Sequence, residues 1–205
     1  MTHSILKLAL IAAVGALATL AGCQTASTLS KKADGDWSGT PVRFDKKTNV
    51  DGTFTPVFRF VRQGNSNGGD FSIAADLSVT MPVNAPIDSL GTSAVSATAA
   101  GMATVRGTWY ASDDDEIELT YDMSTLVINM DPEVTFELAN IWTSTDTPTE
   151  RTVSEAVKRA FVKQMTDAMS MTLQRLDDLD DVNIKENLMS CEFLKQKHTL
   201  NRIFD

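Results

Sequence analysis

Phe71-Ser72-Ile73-Ala74-Ala75-Asp76-Leu77-Ser78-Val79-Thr80-Met81 decides the fold class. Its odd positions are apolar and its even positions are small or polar. Side chains of a strand point alternately to opposite faces, so a period of two sustained this long marks a strand with one face in a core and the other in water. Just upstream, Phe54-Thr-Pro-Val-Phe-Arg-Phe-Val-Arg62 reads as a second strand. Pro56 has no N–H to give, which places it at an edge or a bulge. Gln63-Gly-Asn-Ser-Asn-Gly-Gly69 joins the two, and its Gly and Asn residues supply the left-handed positions that a hairpin connection needs.

The same period continues outward. Residues 103–111 and 116–121 flank the turn Ser112-Asp-Asp-Asp115, and residues 126–130 and 134–138 flank the turn dipeptide Asp131-Pro132. Residues 82–102, with Pro82, Pro86, Gly91 and many Ser, Thr and Ala, read as a loop followed by one weak strand near Val95. The period then changes to that of a helix. Val153, Ala156, Val157, Ala160, Phe161, Ala168, Met169, Leu173 and Leu176 fall on one face, with Met165 beside them. Thr152-Val-Ser-Glu155 has the form of a capping box, so a helix is expected over about 152–176. Three short strands follow at 182–185, 188–194 and 197–203, with Glu186-Asn187 and Lys195-Gln196 as turns. These elements predict one mainly β, antiparallel domain over 35–205, with a single long helix packed on it before the last strands.

Residues 1–22 have a different character. Lys7 precedes an apolar, Ala-rich run over 8–21 that is too short to span a bilayer and has the length of a signal segment. Leu20-Ala21-Gly22-Cys23 ends it and resembles the bacterial lipobox. That resemblance implies cleavage before Cys23, a diacyl thioether on its sulfur and acylation of the new amino terminus. Several acyl chains are needed to hold firmly, because each buried methylene contributes only about 0.8 kcal/mol. Gln24, in place of Asp, resembles the sorting pattern of outer-membrane lipoproteins. Residues 24–34 show no periodicity and read as a polar tether, making 23–34 a lipidated linker.

Gly35-Asp36-Trp37 at the first strand, the hairpin Gly107-Thr-Trp-Tyr-Ala-Ser-Asp-Asp-Asp-Glu-Ile-Glu-Leu-Thr-Tyr121 and the closing hairpin over 188–203 together resemble lipocalin-like (calycin-type) domains. The resemblance implies a closed antiparallel barrel. A helix placed before the last strands departs from that pattern and keeps an open β-sandwich as the alternative. Phe58, Phe60, Phe71 and Trp109, with the adaptable helix residues Met165, Met169 and Met171, are the candidate lining of an apolar cavity. Two functions follow. One is an envelope lipoprotein that binds a small apolar ligand inside the barrel, which the resemblance favours. The other is a structural, adhesive or protein-interaction lipoprotein with a filled core. An enclosed cavity of about 300 Å³ or more would distinguish them.

Charge and composition narrow the chemistry. The 205 residues carry a net charge of −9, and 42% of them are hydrophobic, a globular balance. An acidic chain is a poor partner for nucleic acid or for anionic lipid surfaces, so membrane contact is expected to run through Cys23. No phosphate-binding loop, nucleophile elbow, Cys-x-x-Cys or His-Glu-x-x-His occurs. Beyond the signal there is one histidine, His198, and one cysteine besides Cys23, namely Cys191, which alternates with Met189 and Phe193 as a buried thiol would. The acidic runs Asp113-Asp114-Asp115-Glu116 and Asp177-Asp178-Leu179-Asp180-Asp181 lack the spacing of a calcium loop and read as solvated turns. No enzyme, cofactor or metal is expected.

Overall fold

A computed structural model of the protein describes residues 25–87, 91–130, 135–137 and 150–204. The signal segment, Cys23 and the Asp131-Pro132 turn lie outside them. The described elements run α1 (Ala26–Ala33), β1 (Gly35–Ser38), β2 (Val42–Arg43), a 3-10 turn at Lys46–Thr48, β3 (Asp51–Arg62), β4 (Gly68–Ile87), β5 (Gly91–Ala111), β6 (Ile117–Met130), β7 (Thr135–Glu137), α2 (Glu150–Leu173), β8 (Asp178–Lys185), β9 (Leu188–Phe193) and β10 (Gln196–Ile203). The strands make one antiparallel sheet in which β1 pairs with both β10 and β3. A ring of eight strands therefore closes, in the order β1-β10-β9-β8-β6-β5-β4-β3, and closure leaves no exposed edge along it. The chain is a mainly β, barrel-like domain with a long helix before its last three strands.

Alternation fills the ring. Phe54, Phe58 and Phe60 of β3, Phe71 to Met81 at odd positions of β4, Val105 and Trp109 of β5, and Met189, Cys191 and Phe193 of β9 are all buried in one cluster. Pro56 lies inside β3 rather than at its end, because β3 begins at Asp51. Its missing N–H is harmless there. The strand running along that side of β3 is broken between β1 and β2, and at the break Pro56 acts only as acceptor, taking the Gly39 N–H at 2.8 Å.

Several expectations are corrected. Residues 82–87 and 91–102 are strand where a loop and one weak strand were expected: β4 and β5 pair continuously from Gly68↔Tyr110 to Ile87↔Gly91, with Pro82 opposite Ser96 and Val83 opposite Val95. Small residues disguised the strand because they contribute little to an apolar count, while the backbone ladder needs none. The strands expected at 116–121 and 126–130 are one strand, β6, interrupted by a bulge. The register slips between Thr104 and Arg106, and at this irregularity Asp122 accepts from the Ser124 N–H and hydroxyl and Thr125 accepts from the Arg106 N–H. β7 does not pair with β6 as a hairpin; it lies along β5 at residues 96–98.

A further correction concerns the tether, most of which is helical. Thr25 caps α1, and Leu29 and Ala33 are wholly buried. Eight residues of mostly polar side chains form a marginal helix alone, but this one is fastened. The Trp37 indole N–H donates to the Ala33 carbonyl at 2.7 Å, Arg202 lies 4.3 Å over the Trp37 ring and donates to the Asp34 carbonyl, and the Arg62 N–H donates to the Asp34 carboxylate at 2.8 Å. α2 begins at Glu150, two residues before the expected start, so Thr152 lies within it rather than at its cap.

The two helices lie at opposite ends of the ring. α1 packs near the Arg62 end of β3 and against β5 and β8. α2 packs chiefly along β4, with β6 and β5 beside it, and shares a groove with Thr48, Asn49, Met81 and Pro82 at the other end. Val157, Phe161, Met165, Met169 and Leu173 form its buried face. The chain then turns back into the ring, where the Tyr121 hydroxyl donates to the Leu176 carbonyl at 2.6 Å.

Candidate functional site

The residues expected to line a cavity come together, but against one another. Register sets Phe60 opposite Phe71 and Phe71 opposite Gly107, so rings from β3 and β4 reach the ring interior side by side. Phe58 lies 6.2 Å from Phe60 and from Phe71, Phe60 lies 5.2 Å from Phe71, and the Trp109 ring meets Phe60 edge-on at 5.2 Å. Phe193 and Tyr121 extend the cluster, each 5.8 Å from its neighbour. Each such aromatic pair contributes about 0.5–1.5 kcal/mol beyond the area it buries. Met165 and Met169 belong to the same core, on the α2 face that closes it, and none of the six is more than 3% exposed. Met171 does not join them: 46% exposed, it lies on the outside of α2. Sequence reasoning missed Phe193 and Tyr121, whose alternation was visible but whose distance from β3 and β4 along the chain gave no hint of contact. Within this apolar cluster one group is unsatisfied, the buried indole N–H of Trp109.

Gly107 makes the cluster possible. A Cβ there would come 1.9 Å from the Thr120 carbonyl oxygen, so only glycine permits β5 and β6 to approach at this point.

Cys191 and His198 face each other across β9 and β10. This is the nearest approach to a thiol–base pair among the described residues. The imidazole, however, stacks on Phe193 at 3.6 Å and its Nε2 lies 3.3 Å from the Phe193 carbonyl. Partial burial lowers the pKa of His198 against the opposing effect of that hydrogen bond. Burial alone pushes the Cys191 thiol up to about 12, so the thiolate that nucleophilic chemistry requires is strongly disfavoured.

The two acidic runs, far apart in sequence, meet at the seam between β6 and β8. Only Ile117↔Leu179 and Glu118↔Asp178 pair directly there, supplemented by bonds from the Leu119 N–H to the Asp177 carbonyl and from the Val182 N–H to the Asp115 carbonyl. Glu116, Asp178 and Asp180 bring one carboxylate oxygen each within 4.8 Å of the others. Oxygen donors of this kind suit a hard divalent cation. Desolvation first, then the Asp180 and Glu118 charges, raise the pKa of Glu116; desolvation first, then Asp180, Asp177 and Glu118, raise that of Asp178. Neither acidic run read as more than a solvated turn in the sequence, because their meeting depends on the strand order of the ring.

No family model matches the chain, and neither a curated protein nor a solved structure matches it.

Proposed function

We propose that this chain is an envelope lipoprotein, held to a membrane by acyl chains on Cys23, most naturally at the outer membrane, whose β domain has a filled interior and works through its outer surface rather than by catalysis. The observation that carries the filled interior is the aromatic cluster. Phe58, Phe60, Phe71 and Trp109 occupy the space a guest would need, at contact distances from one another. A core packed in this way has close to crystal density and few voids. The lipobox supports the anchor, and the buried, high-pKa Cys191 supports a non-catalytic role.

One observation favours the second reading, a small apolar ligand inside the barrel. The Trp109 N–H is buried without an acceptor, and a guest with one carbonyl or ether oxygen would satisfy it.

Native mass spectrometry of the protein extracted from membranes tests both halves. The expected species begins at Cys23, carries acyl chains covalently and holds no other lipid. A co-purified apolar molecule that survives mild desolvation would overturn the filled interior. Cys23→Ala should move the protein out of the membrane fraction, and fractionation like the parent would overturn the anchor.

A further inference from the structure

One cluster of positive charge in this acidic chain lies at the end of the ring covered by α2. Residues 39–50, 171–176 and 194–197 hold Arg43, Lys46, Lys47, Arg175, Lys195 and Lys197 against a single acid, Asp45. That acid is already engaged by Arg175 and by the Lys47 N–H. At the seam between β6 and β8, by contrast, residues 112–116 and 177–181 hold eight acids and no base. Between the cationic segments lies an open groove of about 370 Å³. Val42, Phe44, Leu194 and the exposed Met171 give it an apolar floor, and Arg43, Lys46 and Lys47 line it as well.

We propose that this groove binds a small amphiphile: an anionic head, carboxylate or phosphate, on a short apolar chain. This rests on the reading that the domain works through its outer surface. The two halves of the lining call for the two halves of such a ligand. The apolar floor favours a tail that it can remove from water, and the local excess of cations attracts and orients the head in a chain of net negative charge. The volume is at the small-molecule end of the range for ligand pockets, which argues against a macromolecular chain as occupant. Met171 has a role here that a core residue could not have: an unbranched, polarizable side chain, exposed beside the floor, that adapts to a variable tail.

The eight methionines beyond Cys23 provide the readout. The lipidated protein, labelled at methionine methyls and held in nanodiscs of zwitterionic lipid, is titrated with octanoate, octyl phosphate and octylammonium. Octanoate or octyl phosphate should shift the Met171 methyl saturably while Met165 and Met169 stay in place, and the tighter of the two identifies the head group. Octylammonium should leave Met171 unmoved. The triple substitution Arg43→Gln, Lys46→Gln and Lys47→Gln should weaken anion binding by about tenfold, the scale set by losing three solvent-screened charge contacts, and unmoved Met165 and Met169 signals would verify its fold. Equal shifts with octylammonium, or no Met171 shift at millimolar anion, would overturn the groove while leaving the filled barrel intact. Shifts at Met165 and Met169 instead would place the ligand inside and overturn the filled barrel as well.

Discussion

Asp178 stands directly opposite Glu118 where the ring is most thinly closed. Like charges facing each other across strands destabilise the pairing, and here Asp177 and Asp180 add to the repulsion. Burial and these neighbours raise the Asp178 carboxyl above its ordinary 3.8. The folded state therefore holds the proton more tightly than the unfolded chain does. For a raised pKa, stability is greatest on the acid side and falls as pH rises from 3.8 through the folded value. Asp178→Asn removes the charge and keeps the shape. Its expected effect is a gain of a few tenths of a kcal/mol at neutral pH, because both carboxylates remain partly wet and screened, or about one degree in thermal midpoint. The gain should shrink in 1 M salt and vanish below the ordinary carboxylate pKa, as melting curves across pH would record. A less stable Asn variant at neutral pH would mean that the carboxylate accepts a bond the seam needs.

Among the elements, α1 shows how far tertiary contact can impose order on a polar segment. Its sequence, Ala26-Ser-Thr-Leu-Ser-Lys-Lys-Ala33, has one large apolar side chain, too little for periodicity to reveal. Leu29 is nonetheless fully buried beneath the α1 end of the ring. Leu29→Ala should cost about 2–5 kcal/mol, the range for emptying a core leucine site, read as a fall in the urea midpoint at unchanged slope. A loss below about 0.5 kcal/mol would return residues 24–34 to the status of a tether. For α2 the situation is reversed. Its apolar face was written plainly in the sequence, but its burial depends on the overlong β4–β5 hairpin along which it packs, a hairpin half hidden by residues such as Ala97 and Ala99.

At the scale of the whole molecule, the ring has one strong wall and one weak seam. β4 and β5 pair over twenty residues, whereas β6 and β8 share two paired positions and two isolated bonds. Local opening follows the fewest contacts, so the barrel should open first between β6 and β8. Amide hydrogen exchange should find the Leu119 and Val182 N–H groups, which bridge the seam, exchanging well ahead of those of Ile73, Ala75 and Val105 in β4 and β5. Seam amides as protected as the β4–β5 ladder would mean that the ring opens only by global unfolding. Charge is unevenly spread as well, with eight acids gathered at the seam and a cluster of cations beside the groove at the end covered by α2.

Much of the fold was legible in the sequence because it is local. Alternation at Phe71 to Met81, the Gly/Asn turn at 63–69 and the helical face from Val157 to Leu173 are consequences of backbone geometry acting over a few residues. Where local chemistry was silent the reading failed: at 82–87 and 91–102, whose small residues pair chiefly through the backbone ladder, and at 26–33, ordered by the nearby Trp37 and by Arg62 and Arg202 from far along the chain. The candidate site followed the same division. That Phe58, Phe60, Phe71, Trp109, Met165 and Met169 face inward was a matter of periodicity; that the rings meet one another, that Met171 lies outside, and that Arg43, Lys47 and Arg175 surround one groove were decided by strand order and register. Periodicity fixes which face a side chain points to. Only closure of the ring determines what stands on the other side.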